Sequence, residues 1–292
     1  MENMPQNIYI SPSDSLNTIL TNLQNDCIVH LSEGIYRGKF VLSASNVTII
    51  GAGMDKTVLE FGDYARKPHP DGREFNTFRT FTLAVTGDNV RMTGLTVKNY
   101  SRYPEVLGQE VALTVYGGGF EMTDCRLTST QDTLFCGPLP YDLTQRYDDM
   151  LPPELRRYEP MKQVFKRCLI EGTVDFIFGC GDAVFEDCEI RSLWDKRRVG
   201  YVCAPAHGLE NTTGMEFRRC RFTAEDGVSG IYLARPWRDY GIARFTDCEY
   251  GSHIAPEGFD KWNDTERDKT ARFYETPIIN TRVSWINKKE EL

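Results

Sequence analysis

A six-residue pattern recurs along this chain: an apolar residue, a variable one, a charged residue, aspartate or glycine, then cysteine or leucine, a variable residue and a second apolar one. It stands at Met92–Val97, Met122–Leu127, Phe165–Ile170, Phe185–Ile190, Phe217–Phe222 and Phe245–Tyr250. The starts are separated by 30, 43, 20, 32 and 28 residues, the uneven spacing of solenoid coils with loops of variable length. A unit this short cannot bury its own apolar face, so the copies must stack. Each copy reads as a short strand whose inward residues lie on those of the next coil, with strands about 4.8 Å apart. The expected fold class is all-β: a single-stranded parallel β-helix, or solenoid. Cysteine holds the fourth position in five copies between charged neighbours, which places those thiols inside as packing groups.

A solenoid has open ends whose apolar interior needs a cover. Leu16, Ile19, Leu20 and Leu23 recur at helical spacing behind Ser13 and Asp14, so a capping helix is expected over 13–26, followed by a strand at Cys27–Leu31. Residues 137–160 break the pattern with Pro138, Pro140, Pro152, Pro153 and Pro160 and carry Arg146, Arg156 and Arg157; an excursion from the coil is expected there. The tail over 252–292, with Trp262, Phe273, Tyr274 and Trp285, is expected to wrap back along the solenoid. At 292 residues with 40% hydrophobic content the whole chain reads as a single domain, 1–292. A formal charge of −8 argues against duplex nucleic acid and anionic membrane as partners. No stretch of about 18 apolar residues is present to span a bilayer. The first ten residues lack a basic and apolar leader pattern, which points to a cytoplasmic compartment, or to a secreted protein whose leader has been removed. The 9 cysteines form no C-x-x-C pair and the 4 histidines are scattered, so no metal and no cofactor are expected, and the chain is read as a monomer.

Two carboxylates interrupt this regularity. Asp132 lies in Gln131-Asp132-Thr133-Leu134-Phe135, and Asp175 in Gly172-Thr173-Val174-Asp175-Phe176-Ile177-Phe178-Gly179. Asp175 stands among β-branched and aromatic residues, where a bare charge needs a partner; Arg235, in Leu233-Ala234-Arg235-Pro236-Trp237, is the candidate. Gln109 and Gln131 are 22 apart, about one coil. Asp132 and Asp175 are 43 apart, one coil of roughly 21 residues plus an insert of roughly 22, so looping out the proline-rich excursion makes them neighbours.

Gln109 in Gly108-Gln109-Glu110-Val111-Ala112-Leu113, the Gln-Asp-Thr-Leu-Phe segment, Glu171–Gly179 and Ala234-Arg235-Pro236-Trp237 together resemble, in order and context, the signature blocks of pectin methylesterases. The resemblance runs from the N-terminal helix to about residue 250. It implies a right-handed winding of the β-helix and hydrolysis of galacturonate methyl esters in pectin or methylated oligogalacturonides. Carried over residue by residue, it makes Asp175 the nucleophile, Asp132 the general acid and then base, Gln109 and Gln131 the oxyanion donors, and Arg235 the group that holds Asp175. Trp237 becomes a sugar-stacking wall, with Val174 and Phe178 lining the substrate channel. The chemistry of these residue types agrees: a guanidinium fork lowers the pKa of a carboxylate nucleophile and orients it, and a second carboxyl nearby then keeps its proton longer.

The chain departs from the family pattern at Gly38-Lys39, where an acidic residue is usual, at Ala234, where glycine is usual, over Tyr201–His207, and in the length of the 137–160 insert. Two other readings stand beside the esterase: another pectin-active β-helix enzyme, a lyase or a polygalacturonase, and a non-catalytic solenoid that grips uronates.

Overall fold

The computed structural model describes residues 5–101, 104–151 and 161–287. Within them the strands form three parallel sheets of ten, seven and eight strands, and each strand pairs with its counterpart one coil away. The chain visits the three sheets in turn, which is the parallel β-helix. No helix among the described residues is long and apolar enough to cross a membrane.

The recurring pattern is not one strand, as its alternation suggests, but two strands and the corner between them. In the third copy Lys162–Lys166 belongs to the ten-stranded sheet and Leu169–Gly172 to the eight-stranded sheet. Between them Arg167 takes a left-handed backbone, with φ of 49°, and its counterparts Asp124, Asp187, Arg219 and Asp247 lie between 51° and 53°. A single left-handed residue swings the chain from one sheet to the next, which is why this position accepts Gly94 or aspartate at little steric cost. Each corner N–H is then taken by the next coil, as in Arg167 to the Glu186 carbonyl (3.0 Å) and Asp187 to that of Arg218 (3.0 Å). Arginine is an awkward residue in this conformation, and both copies are tied to the aspartate of the coil before, Arg167 to Asp124 (2.8 Å) and Arg219 to Asp187 (2.8 Å). These pairs are about half exposed and contribute little to stability.

Inside, the first apolar position stacks ring on ring. Phe165, Phe185, Phe217 and Phe245 follow at centroid separations of 4.9, 4.7 and 4.8 Å, nearly parallel. The cysteines stack beside them as expected: Cys168, Cys188, Cys220 and Cys248 each direct a thiol at a carbonyl of the coil before, 3.4, 3.4, 3.3 and 3.4 Å away.

Both ends differ from the sequence expectation. The N-terminal helix is only Leu16–Thr21; Ser15 precedes it without a side-chain cap, because the Asp14 carboxylate accepts instead from the Ser11 backbone at 2.7 Å. Leu16 and Leu20 still enter the core. Ahead of the helix, Gln6–Ile10 forms an unforeseen first rung paired with Cys27–Leu31. At the other end Arg272–Thr276 adds a rung to the ten-stranded sheet beside Ile242–Thr246, so the tail continues the solenoid instead of running back along it. Phe259, Phe273 and Trp285 close that end.

Two excursions leave the coils on one side. The insert after Leu134–Cys136 carries a helix at Tyr141–Arg146, and Leu139, Leu143 and Leu151 pack with Phe78, Phe135 and Phe178 into a second apolar cluster outside the coils. Pro152, Pro153, Arg156, Arg157 and Pro160 lie outside the described residues. The other excursion leaves after Thr57–Phe61 and returns at Leu83–Val85. Lys39, which departs from the family pattern, anchors it: its ammonium bonds the Asp63 carboxylate at 2.8 Å and the Arg79 carbonyl.

The stacked phenylalanines set the stability of the coils. Phe217→Ala, which opens a cavity in mid-stack, is expected to lower unfolding free energy by about 3–5 kcal/mol in a denaturant titration. A loss below about 1 kcal/mol contradicts a packed stack.

Candidate active site

Leu134 pairs with Ile177 in the seven-stranded sheet, and two residues earlier along each chain segment stand Asp132, just ahead of its strand, and Asp175. The ladder continues to them, since the Asp132 N–H donates to the Val174 carbonyl at 3.1 Å. Register therefore makes the two carboxylates neighbours, with the 137–160 insert looped out between them. Both are 8% exposed.

The backbone at each is unusual: φ is 66° at Asp132, in the bend just ahead of its strand, and 50° at Asp175, within Val174–Gly179, left-handed values that are costly for a non-glycine residue. The pairing with Gly200–Pro205 also slips between Val174 and Ile177, where one side has an extra residue. Such a bulge re-aims a side chain. Here it turns Asp175 out of the core, while Phe176 and Ile177 remain in it. Gly179 at the end of the strand has φ of 127°, and a Cβ there would collide with the Cys136 carbonyl.

Arg235 meets Asp175 as a two-pronged donor, Nε to Oδ1 at 2.8 Å and Nη2 to Oδ2 at 2.6 Å. Its guanidinium is itself sandwiched, 3.7 Å from the Tyr201 ring centroid and 4.0 Å from that of Trp262. Gln131 is fixed from its acceptor end, because Arg197 donates to Oε1 at 2.9 Å; Asp195 in turn holds Arg197 at 2.5 Å. The amino end of Gln131 is left to donate, and its proximity partly offsets the upward shift of the Asp132 carboxyl. The Gln109 side chain has no partner among the described residues.

Burial raises both carboxyls. Asp132 stands well above the usual carboxylate range, because burial and then the Asp175 charge outweigh Arg235 and the Gln131 amide. Burial also raises Asp175, against the hydrogen bonds and charge of Arg235. The sequence expectation that Arg235 brings Asp175 below its ordinary value is thus corrected: desolvation at an 8% exposed site exceeds the pull of one guanidinium. The order within the pair survives, since both Asp175 oxygens accept from Arg235 and a proton on either would forfeit one bond.

These groups open into one cleft of about 240 Å³, lined by Gln109, Gln131, Asp132, Asp175, Phe178, Arg235 and Trp237 together with Thr77, Phe78, Ala204 and Trp262. Of the residues singled out from sequence, only Val174 stays out of the lining; it is 5% exposed, and its carbonyl is occupied by Asp132. Phe178 and Trp237 meet edge to face at 5.9 Å. Sequence reading did not find Trp262, Tyr201, Arg197, Thr77 or Phe78. Aromatic residues in the tail and an arginine two residues after Asp195 were the only signals available.

The family model described as Pectinesterase matches residues 7–141 and 155–289. The chain belongs to the pectinesterase family. Pectinesterase 31 of Arabidopsis thaliana is 29% identical over 276 residues, covering 91% of this chain and 78% of that protein. Across three Arabidopsis relatives of 29% identity, the chain spans between 60% and 78% of their lengths. Among solved structures, pectin methylesterase from carrot superposes with a TM-score of 0.81 at 20% identity, covering 99% of this chain and 90% of that one. A pectin methylesterase in complex with a hexasaccharide superposes at 0.76 with 19% identity, over 95% of this chain and 92% of that one. The fold is therefore the right-handed parallel β-helix of pectin methylesterases, and this member of the family is a carboxylic ester hydrolase.

The raised Asp132 has a signed consequence for this pectinesterase. The unfolded chain loses that proton near the ordinary carboxylate value of about 4, whereas the folded chain keeps it to higher pH. Above that value the folded state binds more protons, so this group's stabilising contribution declines as pH rises through the folded pKa. Asp132→Asn is expected to melt above wild type, by a margin that widens from about pH 4 to 8 in thermal unfolding scans. A margin that widens on acidification contradicts the raised carboxyl.

Proposed function

We propose that the chain hydrolyses galacturonate methyl esters in pectin or methylated oligogalacturonides and releases methanol, with Asp175 as nucleophile and Asp132 as acid and then base. The observation that carries this reading is the Arg235-clamped carboxylate lying in register beside a second buried carboxyl, one that burial raises well above the usual carboxylate range.

The steps follow from that division of charge. An Asp175 oxygen attacks the ester carbonyl carbon, and the oxygen of the tetrahedral adduct takes up negative charge. The amide N–H groups of Gln109 and Gln131 are neutral donors on the same cleft wall, suited to an oxyanion. Arg197 matters here, because its grip on Gln131 Oε1 keeps the donor end directed into the cleft. Collapse of the adduct breaks the bond to the methoxy oxygen, and Asp132 gives that oxygen its proton, so methanol leaves. What remains is a mixed anhydride between Asp175 and the uronate. Asp132, now ionised, takes a proton from water as the water attacks the uronate carbonyl, which frees the acid and restores the Asp175 carboxylate to Arg235.

Trp237 and Phe178 supply apolar walls for a sugar ring and its ester methyl. The structural relative crystallised with a hexasaccharide supports an extended oligosaccharide as the ligand class.

Asp175→Asn tests the reaction against a purely binding role. Methanol release is expected to fall by about a thousandfold or more while oligogalacturonide binding is kept; unchanged turnover removes Asp175 from the chemistry. Arg197→Met is expected to lower kcat about tenfold to a hundredfold with little change in KM, and Arg197→Lys to recover part of it. Equal loss in kcat and thermal stability with no recovery by lysine would reduce Arg197 to scaffold.

A further inference from the structure

The loop over 193–199 leads into Gly200–Pro205, the strand that pairs with the one bearing Asp175. It is held in place from several sides. The Leu193 N–H donates to the Gly172 carbonyl at 2.8 Å, the Trp194 N–H to the Glu225 carboxylate at 2.8 Å, and the Arg198 N–H to the Asp195 carbonyl at 3.0 Å. From this loop Arg197 reaches Gln131 through Nη1 at 2.9 Å, and the rest of its guanidinium is turned on Asp195. Nε stands 3.0 and 3.1 Å from the two Asp195 oxygens and Nη2 2.5 Å from Oδ2, while the Arg197 backbone N–H adds a bond to Oδ1 at 2.8 Å. The Asp195 side chain is only 4% exposed, and both its oxygens are engaged by this one arginine.

Arg197 is more than a holder of an amide, because it is a second cation for the reactive pair. Burial is the larger influence on Asp132 and Asp175 and raises both, and the Arg197 charge pulls each of them down. An uncompensated guanidinium in that place would favour ionised Asp132 and so remove the proton that a leaving alkoxide needs. Asp195 supplies the counter-charge. Burial pushes its carboxyl up, but the Arg197 bonds outweigh this and hold it below the usual carboxylate range, so it is ionised wherever the pair titrates. The other charged groups that act on the pair come from different elements: Arg235, already engaged by Asp175, and Asp260 of the tail, which raises Asp175. Lys196 and Arg198 flank Arg197 on the loop itself, and Glu225 receives the Trp194 N–H.

We propose that Asp195 is a positioning and charge-balancing residue for the ester hydrolysis: it fixes Arg197 on Gln131 and cancels the guanidinium charge, so that the amide is directed into the cleft without the acid being discharged. The inference rests on the esterase reading of the cleft. It has a consequence that a scaffold role does not produce, since the two partners of one ion pair act on the reaction in opposite directions. Asp195→Asn keeps an oxygen for the Arg197 N–H groups but leaves the guanidinium charge unopposed, so both reactive carboxyls ionise at lower pH. Arg197→Met removes the cation, so both ionise at higher pH. The acid limb of the pH profile follows ionisation of the nucleophile and the alkaline limb follows loss of the acid's proton, and each variant carries the two limbs together.

The test measures kcat/KM for methanol release from fully methylated trigalacturonate, which carries no titrating carboxyl, against pH in wild type, Asp195→Asn and Arg197→Met. Both limbs are expected to move down by about half a pH unit or more in Asp195→Asn and up by a similar amount in Arg197→Met. The carboxyl carbon-13 resonances of Asp132 and Asp175, titrated in the same three proteins, are expected to move in the same directions as the limbs. A profile unmoved in Asp195→Asn, or moved the same way in both variants, overturns the charge balance whatever the loss of kcat. If Asp195→Asn does not fold, Arg197→Met decides alone, and limbs that stay or fall overturn the proposal. The two readings fail differently. Intact methanol release with unmoved limbs sinks only the role of Asp195, whereas an absence of methanol release from wild type sinks the esterase and leaves the carbon-13 titrations to judge the coupling.

Discussion

An ionised carboxylate at 8% exposure in a solenoid wall is a large electrostatic burden, and Arg235 is what makes it tolerable at Asp175. The guanidinium meets both oxygens and is held between the faces of Tyr201 and Trp262, so the ion pair has little freedom to swing toward solvent. The consequence passes to the next coil. With one charge already lodged in the cleft, a second carboxylate at the same register would place like charges together in a poorly solvated site, and burial together with the Asp175 charge lifts the Asp132 carboxyl well above the usual carboxylate range. One clamped anion therefore sets the two carboxyls apart, and on the proposed reading it gives both the nucleophile and the acid. Neither residue type alone has these properties; position creates them.

Position comes from the coils. Parallel pairing at a fixed register puts residues 43 apart in sequence side by side once the insert is looped out. The bulge between Val174 and Ile177 and the left-handed backbone at both aspartates then turn the side chains into the cleft rather than the core. Such conformations hold only where the surroundings over-determine them. Here the stacked rings of Phe165, Phe185, Phe217 and Phe245 and the cysteine stack beside them supply that rigidity. The two excursions finish the site by raising walls around it, since Thr77 and Phe78 come from one, and the other packs Leu139 and Leu143 behind Phe78 and Phe135.

Much of this was legible in the residues because it depends on local periodicity and register. The six-residue pattern disclosed the coils, and the 43-residue separation minus one insert disclosed the meeting of Asp132 and Asp175. The same pattern was misread in detail: its third position marks a corner, and the mixture of aspartate, arginine and glycine there was the trace of a left-handed backbone. Residues delivered by long-range contacts left no such trace. Arg197 is important only because it reaches Gln131, 66 positions earlier, and Trp262 only because the tail crosses over Arg235. The helix over 13–26 shrank to Leu16–Thr21 because Asp14 satisfies a turn at Ser11 instead of capping. Val174 was placed in the channel by resemblance; it is 5% exposed and does not stand among the residues that line the cleft.

Division of charge between the two aspartates can be observed directly by carbon-13 NMR titration of a sample labelled at the aspartate carboxyl carbons, with single Asp→Asn variants to assign the signals. An Asp132 carboxyl that stays protonated beside an ionised Asp175 gives a resonance titrating far above the other aspartates, and that resonance disappears in Asp132→Asn. In the same variant the Asp175 signal should titrate close to its wild-type position, because a protonated Asp132 carries no charge over the range in which Asp175 ionises. Disappearance of the high-titrating resonance in Asp175→Asn instead, with Asp132 ionising at the ordinary value, would contradict the assignment of nucleophile and acid.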